Sequence, residues 1–591
     1  MGEYRQTRGR LVSKMKEILK IPMTGGCMMK TKMHGEREST GNQHRWLGGF
    51  SKILLAIGLL FFVLSPSVFA ADTIKPEVTA RNGMVASAQP LASAAGLEIL
   101  MAGGNAVDAA VASAFALGVV EPNATGLGGE GMMVIYLADK KVTTSIDYRS
   151  MAPLADMSKV KFPPDGHVSV AVPGTVAGLC LALEKYGTMS LAQVMAPAIR
   201  YARNGFIVSD TLASTIKDRF DPISKNDALL AILAPEGLPL EAGQIIRNPD
   251  LATTLEKIAA GGPDVFYKGE IADAIAEDMA KNGGYITKAD LAAYTAIERE
   301  PVRGTYRGYE IISAPPPVGG LSVIEMLNIL ENFDLASEQP LSPRNVHLMA
   351  EAMKRGFADN SAFIGDPAYT KVPVAGLLDK EYARQRVKEI DPAKMTPAVK
   401  AGTPPEHPST THLSVVDKNG NMVALTQTIS SFWGACVAVP GTGIILNNEM
   451  QNWSSKGPNS YAPGKRMRTT IAPTIIAQDG RPFVTMGTPG AGRIISTMVI
   501  LAVNLLDYHM GVQEAIESPR FYARDTEKNL SIEARVPKET QDWLKSIGYS
   551  IKEYPDFDLF FGGAQAIVVD LETGIMHGGA DPRRDGAVFG F

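Results

Sequence analysis

Short apolar runs alternate with helical stretches along most of the chain, and no low-complexity linker divides them, a pattern that predicts one large α/β body. Asn105 and Asp108 stand as a capping box before Ala106 to Val120, a run too apolar all round for a surface helix. Gly126-Leu127-Gly128-Gly129-Glu130-Gly131 follows that helix and precedes a strand-like Met132 to Leu137. A dinucleotide-binding fingerprint needs strand, loop and helix in that order, so the context argues against nucleotide binding. The pattern changes abruptly near residue 410. A Pro-rich polar tract, Lys400 to Ser409, reads as extended and exposed; Thr410 to Asp417 alternates like a strand, Lys418-Asn419-Gly420-Asn421 signals a turn, and Met422 to Ile429 returns. Asn419 lies midway between Thr410 and Thr428, so a regular hairpin sets these two hydroxyls opposite each other.

Near the amino terminus, Ile53 to Leu64 is an unbroken apolar run, shorter than the roughly 20 residues a spanning helix needs. Lys52 precedes it, and the small residues Val68 and Ala70 follow, as at a cleavage site. Residues 1–71 therefore read as n-region and Sec-type signal peptide cut near Ala70, with an uncleaved single-pass anchor as the alternative and Met28, Met29 and Met33 as alternative starts, and the body from 72 onward is expected in the periplasm or secreted. The membrane is then met only through the signal segment.

The 591 residues are 45% hydrophobic and 20% charged with a net charge of −4, which gives no electrostatic reason to expect nucleic acid or polybasic membrane binding. Of three cysteines, Cys27 lies in the leader, and Cys180 and Cys436 are expected as buried thiols. None of the eight histidines is followed by Glu or spaced i,i+4 from another, and Asp417 to Asn421 suits a turn better than a calcium loop, so no metal or cofactor is expected.

Nine segments occur in order: Gly83 to Ser87, Gly103 to Ala110, Asn123 to Gly131, Asp147-Tyr148-Arg149-Ser150-Met151-Ala152-Pro153, Val172 to Gly178, Pro315 to Gly320, Thr410-Thr411-His412, Leu446-Asn447-Asn448-Glu449-Met450 and Gly487 to Arg493. From about residue 77 to the end, this succession resembles the γ-glutamyltranspeptidase family. The resemblance implies an α/β (α+β) four-layer αββα sandwich of the N-terminal-nucleophile hydrolase type, made as a precursor that cuts itself at Ser409–Thr410. The products would be a large subunit, 72–409, and a small catalytic subunit, 410–591, paired as a heterodimer.

A threonine hydroxyl is a poor nucleophile without an adjacent base, and a free α-amine, with a reference pKa near 8, can serve once Thr410 is an amino terminus. Thr410 would attack an amide carbonyl and pass the acyl group to water or an amine acceptor, with Thr428 holding its hydroxyl. By resemblance, the backbone N–H groups of Gly490 and Ala491 stabilise the oxyanion; Ala491 replaces the family's usual second glycine, which matters little if only its N–H is used. Arg149 matches the arginine that binds the donor's α-carboxylate, helped by Thr469 and Thr470 in place of paired serines. His412 faces the same side of the strand as Thr410 but is expected to be structural, since the family's base is the terminal amine.

Two departures bear on the donor. The family has aspartate where this chain has Asn452 and asparagine where it has Ser430, the pair that receives the donor's α-ammonium. Losing that carboxylate removes a charge-assisted hydrogen bond worth about 1.5–3 kcal/mol, while Glu449 nearby offers a replacement negative charge. The first reading is a γ-glutamyltransferase or glutathione hydrolase. The alternatives are a glutaryl-amide or cephalosporin-type acylase, whose donor lacks the α-amine and would tolerate the neutral Asn452, and an inactive extracellular binding module; the short segment Ser454 to Lys465 reads either as an open cleft for bulkier donors or acceptors or as a trimmed surface loop.

Overall fold

The Ala106–Val120 helix forms as the capping box predicts, with Asn105 accepting from Val107 N and Asp108 N and the Asp108 carboxylate accepting from Asn105 N. Fourteen of its residues are buried, which explains why its sequence carries no polar face. The computed structural model describes residues 74–399, 410–524 and 526–591. The expected signal segment, Cys27, the Pro-rich tract and Ser409 lie outside the described residues.

Two seven-stranded sheets stack face to face between helical layers. The first runs in the order Ala587–Gly590, Gly83–Ser87, Thr411–Asp417, Met422–Thr428, Glu130–Leu137, Val142–Tyr148, Ile297–Arg299. The second runs Val78–Ala80, Met576–Ala580, Gln565–Val569, Arg481–Gly487, Thr474–Gln478, Tyr309–Ser313, Val302–Tyr306. Alternation along the strands feeds both cores. Val85, Met133, Leu413 and Val415 of the first sheet pack on the outer helices Pro90–Met101 and Ala106–Val120. Their neighbours Met84, Met132, Val416 and Ala424 point inward toward Val484, Met486 and Ala566. Gly320–Leu330, Pro343–Phe363 and Arg493–Leu506 cover the second sheet, completing an αββα sandwich. Strands buried on both faces cannot show clean polar alternation, which is why they read as near-continuous apolar runs.

The central hairpin pairs Thr411 with Gln427 and His412 with Thr426, the register its turn predicts. Cys180 and Cys436 are free and buried. Among the described residues no helix is long and apolar enough to cross a membrane, and no cluster of His, Cys, Asp or Glu could hold a metal ion.

Candidate active site

Continuing the hairpin register by one pair sets Thr410 opposite Thr428, and the Thr410 hydroxyl donates to Thr428 Oγ1 at 3.3 Å. Thr428 Oγ1 also accepts from Ser430 N at 2.8 Å, which fixes the acceptor hydroxyl at the strand end. Thr428 in turn pairs with Glu130, and since Gly131 pairs with Tyr148, the next position outward sets Glu130 against Arg149. Thr410, Thr428, Glu130 and Arg149 thus form one row across four adjacent strands. Parity places all four on the inner face, shared with His412, Thr426 and Met132. Three inter-strand spacings separate Thr410 from Arg149, about 14 Å between Cα atoms. An arginine side chain from one end and a short acyl chain from the other can fill that span.

Arg149 is fully buried. It forms an ion pair with Glu130, donates from Nη2 to Met467 O at 3.1 Å and faces Glu449 Oε2 at 4.0 Å. Burial pulls its pKa down to about 10, so the guanidinium stays charged at neutral pH. Glu130 also accepts from Ser150 N at 2.7 Å and from the Ser150 hydroxyl at 2.5 Å. Asn452 Nδ2 donates to Ser430 Oγ at 2.7 Å and to Glu449 Oε2 at 3.3 Å, joining all three residues into one polar group beside Arg149. Burial pushes the Glu449 carboxyl up, against the pull of Arg149 and Asn452.

The second sheet supplies the opposite wall. Gly487, at the end of its strand, lies so close to His412 that a Cβ there would come within 2.2 Å of the imidazole. Thr488 to Ala491 therefore emerge at the same end of the sandwich as Thr410, two residues before His412. The carbonyls of Gly490 and Ala491 accept from Arg493 N and Ile494 N as the helix begins, and Thr470 Oγ1 donates to Ala491 O at 2.7 Å. Among the described residues neither the Gly490 nor the Ala491 amide serves a backbone carbonyl, which leaves both as donors at the start of a helix. Gly490 and Ala491 sit at φ 130° and 50°, conformations that favour glycine. Ala491, which carries a Cβ, bears backbone strain of about 1–2 kcal/mol there. Thr469 N donates to Pro317 O at 3.1 Å, and Thr469 and Thr470 are half-buried.

His412 is buried between the sheets, with Nδ1 2.8 Å from Thr426 Oγ1 and Nε2 3.1 Å from Ser414 Oγ. Burial lowers its pKa to about 3. Both nitrogens are engaged away from Thr410, so the ring acts as a neutral spacer between sheets.

The sequence motifs missed Glu130, whose position in a glycine-rich run gives no hint of its partner until the strand order is known. They also missed Glu121 and Arg584, which meet behind Thr410 from opposite ends of the chain.

A sandwich of this layering, with a threonine heading a central strand, defines the N-terminal-nucleophile hydrolase class. Within it, the family model for gamma-glutamyltranspeptidase matches residues 92–591, and the chain belongs to that family. It is 42% identical over 543 residues to a glutathione hydrolase proenzyme of Escherichia coli K12, covering 87% of this chain and 92% of the relative. It is equally 42% identical over 533 residues to the acylase ACY 1 proenzyme of Pseudomonas sp. strain SE83, covering 87% and 94%. The crystal structure of cephalosporin acylase from Bacillus halodurans superposes with a TM-score of 0.83 at 34% identity, over 89% of this chain and 99% of that one.

Proposed function

We propose that the chain is an exported, self-processing amidohydrolase and acyltransferase whose first donor class is γ-glutamyl amides, glutathione among them. The Ser409–Thr410 bond is cut, giving segments 72–409 and 410–591. The freed α-amine takes the proton of Thr410 Oγ1 as it attacks the donor carbonyl. Gly490 N–H and Ala491 N–H receive the oxyanion, each worth roughly 3–4 kcal/mol. The tetrahedral intermediate collapses as the donor's C–N bond breaks and the α-ammonium gives its proton to the departing amine; water or an acceptor amine, losing a proton to the same α-amine, then takes the acyl group and frees Thr410 Oγ1.

The observation that carries this reading is the sheet row itself: Thr410 bonded to Thr428 at one end and the buried Arg149 at the other. Strain supports the cut, since Thr410 has φ 150°, a conformation costly for a β-branched residue, and that torsion ceases to exist once the preceding carbonyl leaves. Glu449, 4.0 Å from Arg149, supports an α-amino donor by supplying the negative charge that Asn452 lacks. Intact mass and turnover of a γ-glutamyl anilide test the proposal together. Two fragments and activity are expected for the native chain, one fragment and no activity for Thr410→Ala; an unbroken, active native chain overturns it.

A second reading has its own support. Asn452 donates to both Ser430 and Glu449, so its amide spends its hydrogens within the protein and offers no anion to an ammonium. That arrangement suits a glutaryl-type donor, with a carboxylate for Arg149 and no α-amine. Comparing kcat/KM for γ-glutamyl and glutaryl anilides separates the two.

A further inference from the structure

Behind Thr410 lies a buried ion pair that joins distant parts of the chain. Arg584 Nη1 donates to the Thr410 carbonyl oxygen at 2.9 Å and to Glu121 Oε1 at 3.0 Å. Glu121 caps the carboxyl end of the Ala106–Val120 helix, and its other oxygen accepts the Thr411 hydroxyl at 2.5 Å. One ion pair therefore grips the main chain of Thr410 and the side chain of the next residue. Glu121 is 9% exposed and Arg584 5%. The arginine has little freedom to swing away: a Cβ on Gly563 would come within 2.8 Å of its stem, and its guanidinium lies 5.6 Å from the Phe432 ring centre. The adjoining Asp585 is tied down by the hydroxyls of Ser209 and Thr211 at 2.6 and 2.9 Å.

We propose that Arg584 and Glu121 are positioning residues that hold the main chain of Thr410 in its reactive orientation, an inference that rests on Thr410 being the nucleophile. Nucleophile and base are carried there by one residue. Once the preceding bond is cut, Thr410 is held covalently through its carbonyl side alone. The bond from Arg584 fixes the plane of the peptide after Thr410 and the place of its Cα, and the hydroxyl bond to Thr428 sets the remaining rotation about Cα–C that aims the α-amine and the hydroxyl. Glu121 holds the guanidinium in place; burial pushes its carboxyl up, while Arg584 and the Thr411 hydroxyl pull it down. Glu121 precedes the proposed cut and Arg584 follows it, so the clamp spans both segments.

Misplacement of a reacting group by about 1 Å can cost roughly a hundredfold in rate, which sets the scale of the test. In the mature full-length protein, Arg584→Met is expected to lower kcat for a γ-glutamyl anilide about tenfold or more with KM changed less than about twofold. Arg584→Lys, which keeps one donor, should recover most of the loss, and Glu121→Gln should fall between. A folded Arg584→Met chain that remains uncut also supports the clamp, because the gripped residue contributes to the scissile bond. Should Arg584→Met fail to fold, Arg584→Lys and Glu121→Gln decide: kcat below that of the native enzyme at unchanged KM supports the proposal. Native kcat in both of those variants, or in mature Arg584→Met, overturns it. A native chain that is neither cut nor active would instead strike at Thr410 as nucleophile.

Discussion

At the scale of single residues, three side chains set the expected behaviour of the site. Arg149 meets its partners as a fork, to Glu130 on one nitrogen and to Met467 O on the other. Lysine cannot reproduce that geometry, so Arg149→Lys should raise KM for carboxylate-bearing donors about tenfold or more while kcat changes less, as read from initial rates. Asn452→Asp puts a carboxylate 2.7 Å from Ser430, at the place of the present amide nitrogen. The ratio of γ-glutamyl to glutaryl turnover should rise roughly ten- to a hundredfold; an unchanged ratio would remove Asn452 from the specificity argument. Ala491 occupies φ 50°, so Ala491→Gly should raise stability by up to about 1 kcal/mol in urea unfolding, the relief of strain being partly offset by the greater entropy of glycine in the unfolded chain.

Elements decide how much of this was visible beforehand. The Ala106–Val120 helix was legible because its cap is local, and the hairpin because Asn419 and Gly420 set a turn whose register then fixes every facing pair. The threonine pair follows from that register alone. Glu130 against Arg149 needed the strand order, since Glu130 lies in a glycine-rich run and the two meet only when Glu130–Leu137 pairs with Val142–Tyr148. Arg584 and Glu121 are 463 positions apart, beyond any periodic pattern. The hairpin also predicts a pH response. The native His412 pKa of about 3 lies below its unfolded value near 6.5, so the unfolded chain binds the extra proton. Stability from this group is full above pH 6.5 and is lost as pH falls toward 3, by a few kcal/mol in order of magnitude. Urea midpoints at pH 7, 5 and 4 should fall along that course, and His412→Gln should flatten the slope even where it lowers the midpoint at pH 7.

Over the whole molecule, the proposed cut falls at the head of a central strand, and the two segments it creates are threaded through both sheets. In the first sheet, Thr411–Asp417 and Met422–Thr428 lie between Gly83–Ser87 and Glu130–Leu137; in the second, four strands from beyond residue 410 lie between Val78–Ala80 and Tyr309–Ser313. Parting the segments would mean opening ladders on both sides of each insertion and baring both cores. The nicked protein should therefore melt in one transition and, when mixed with isotopically labelled enzyme, yield no hybrid pairs before it melts. A broken backbone would leave each enzyme molecule with its original partner for life.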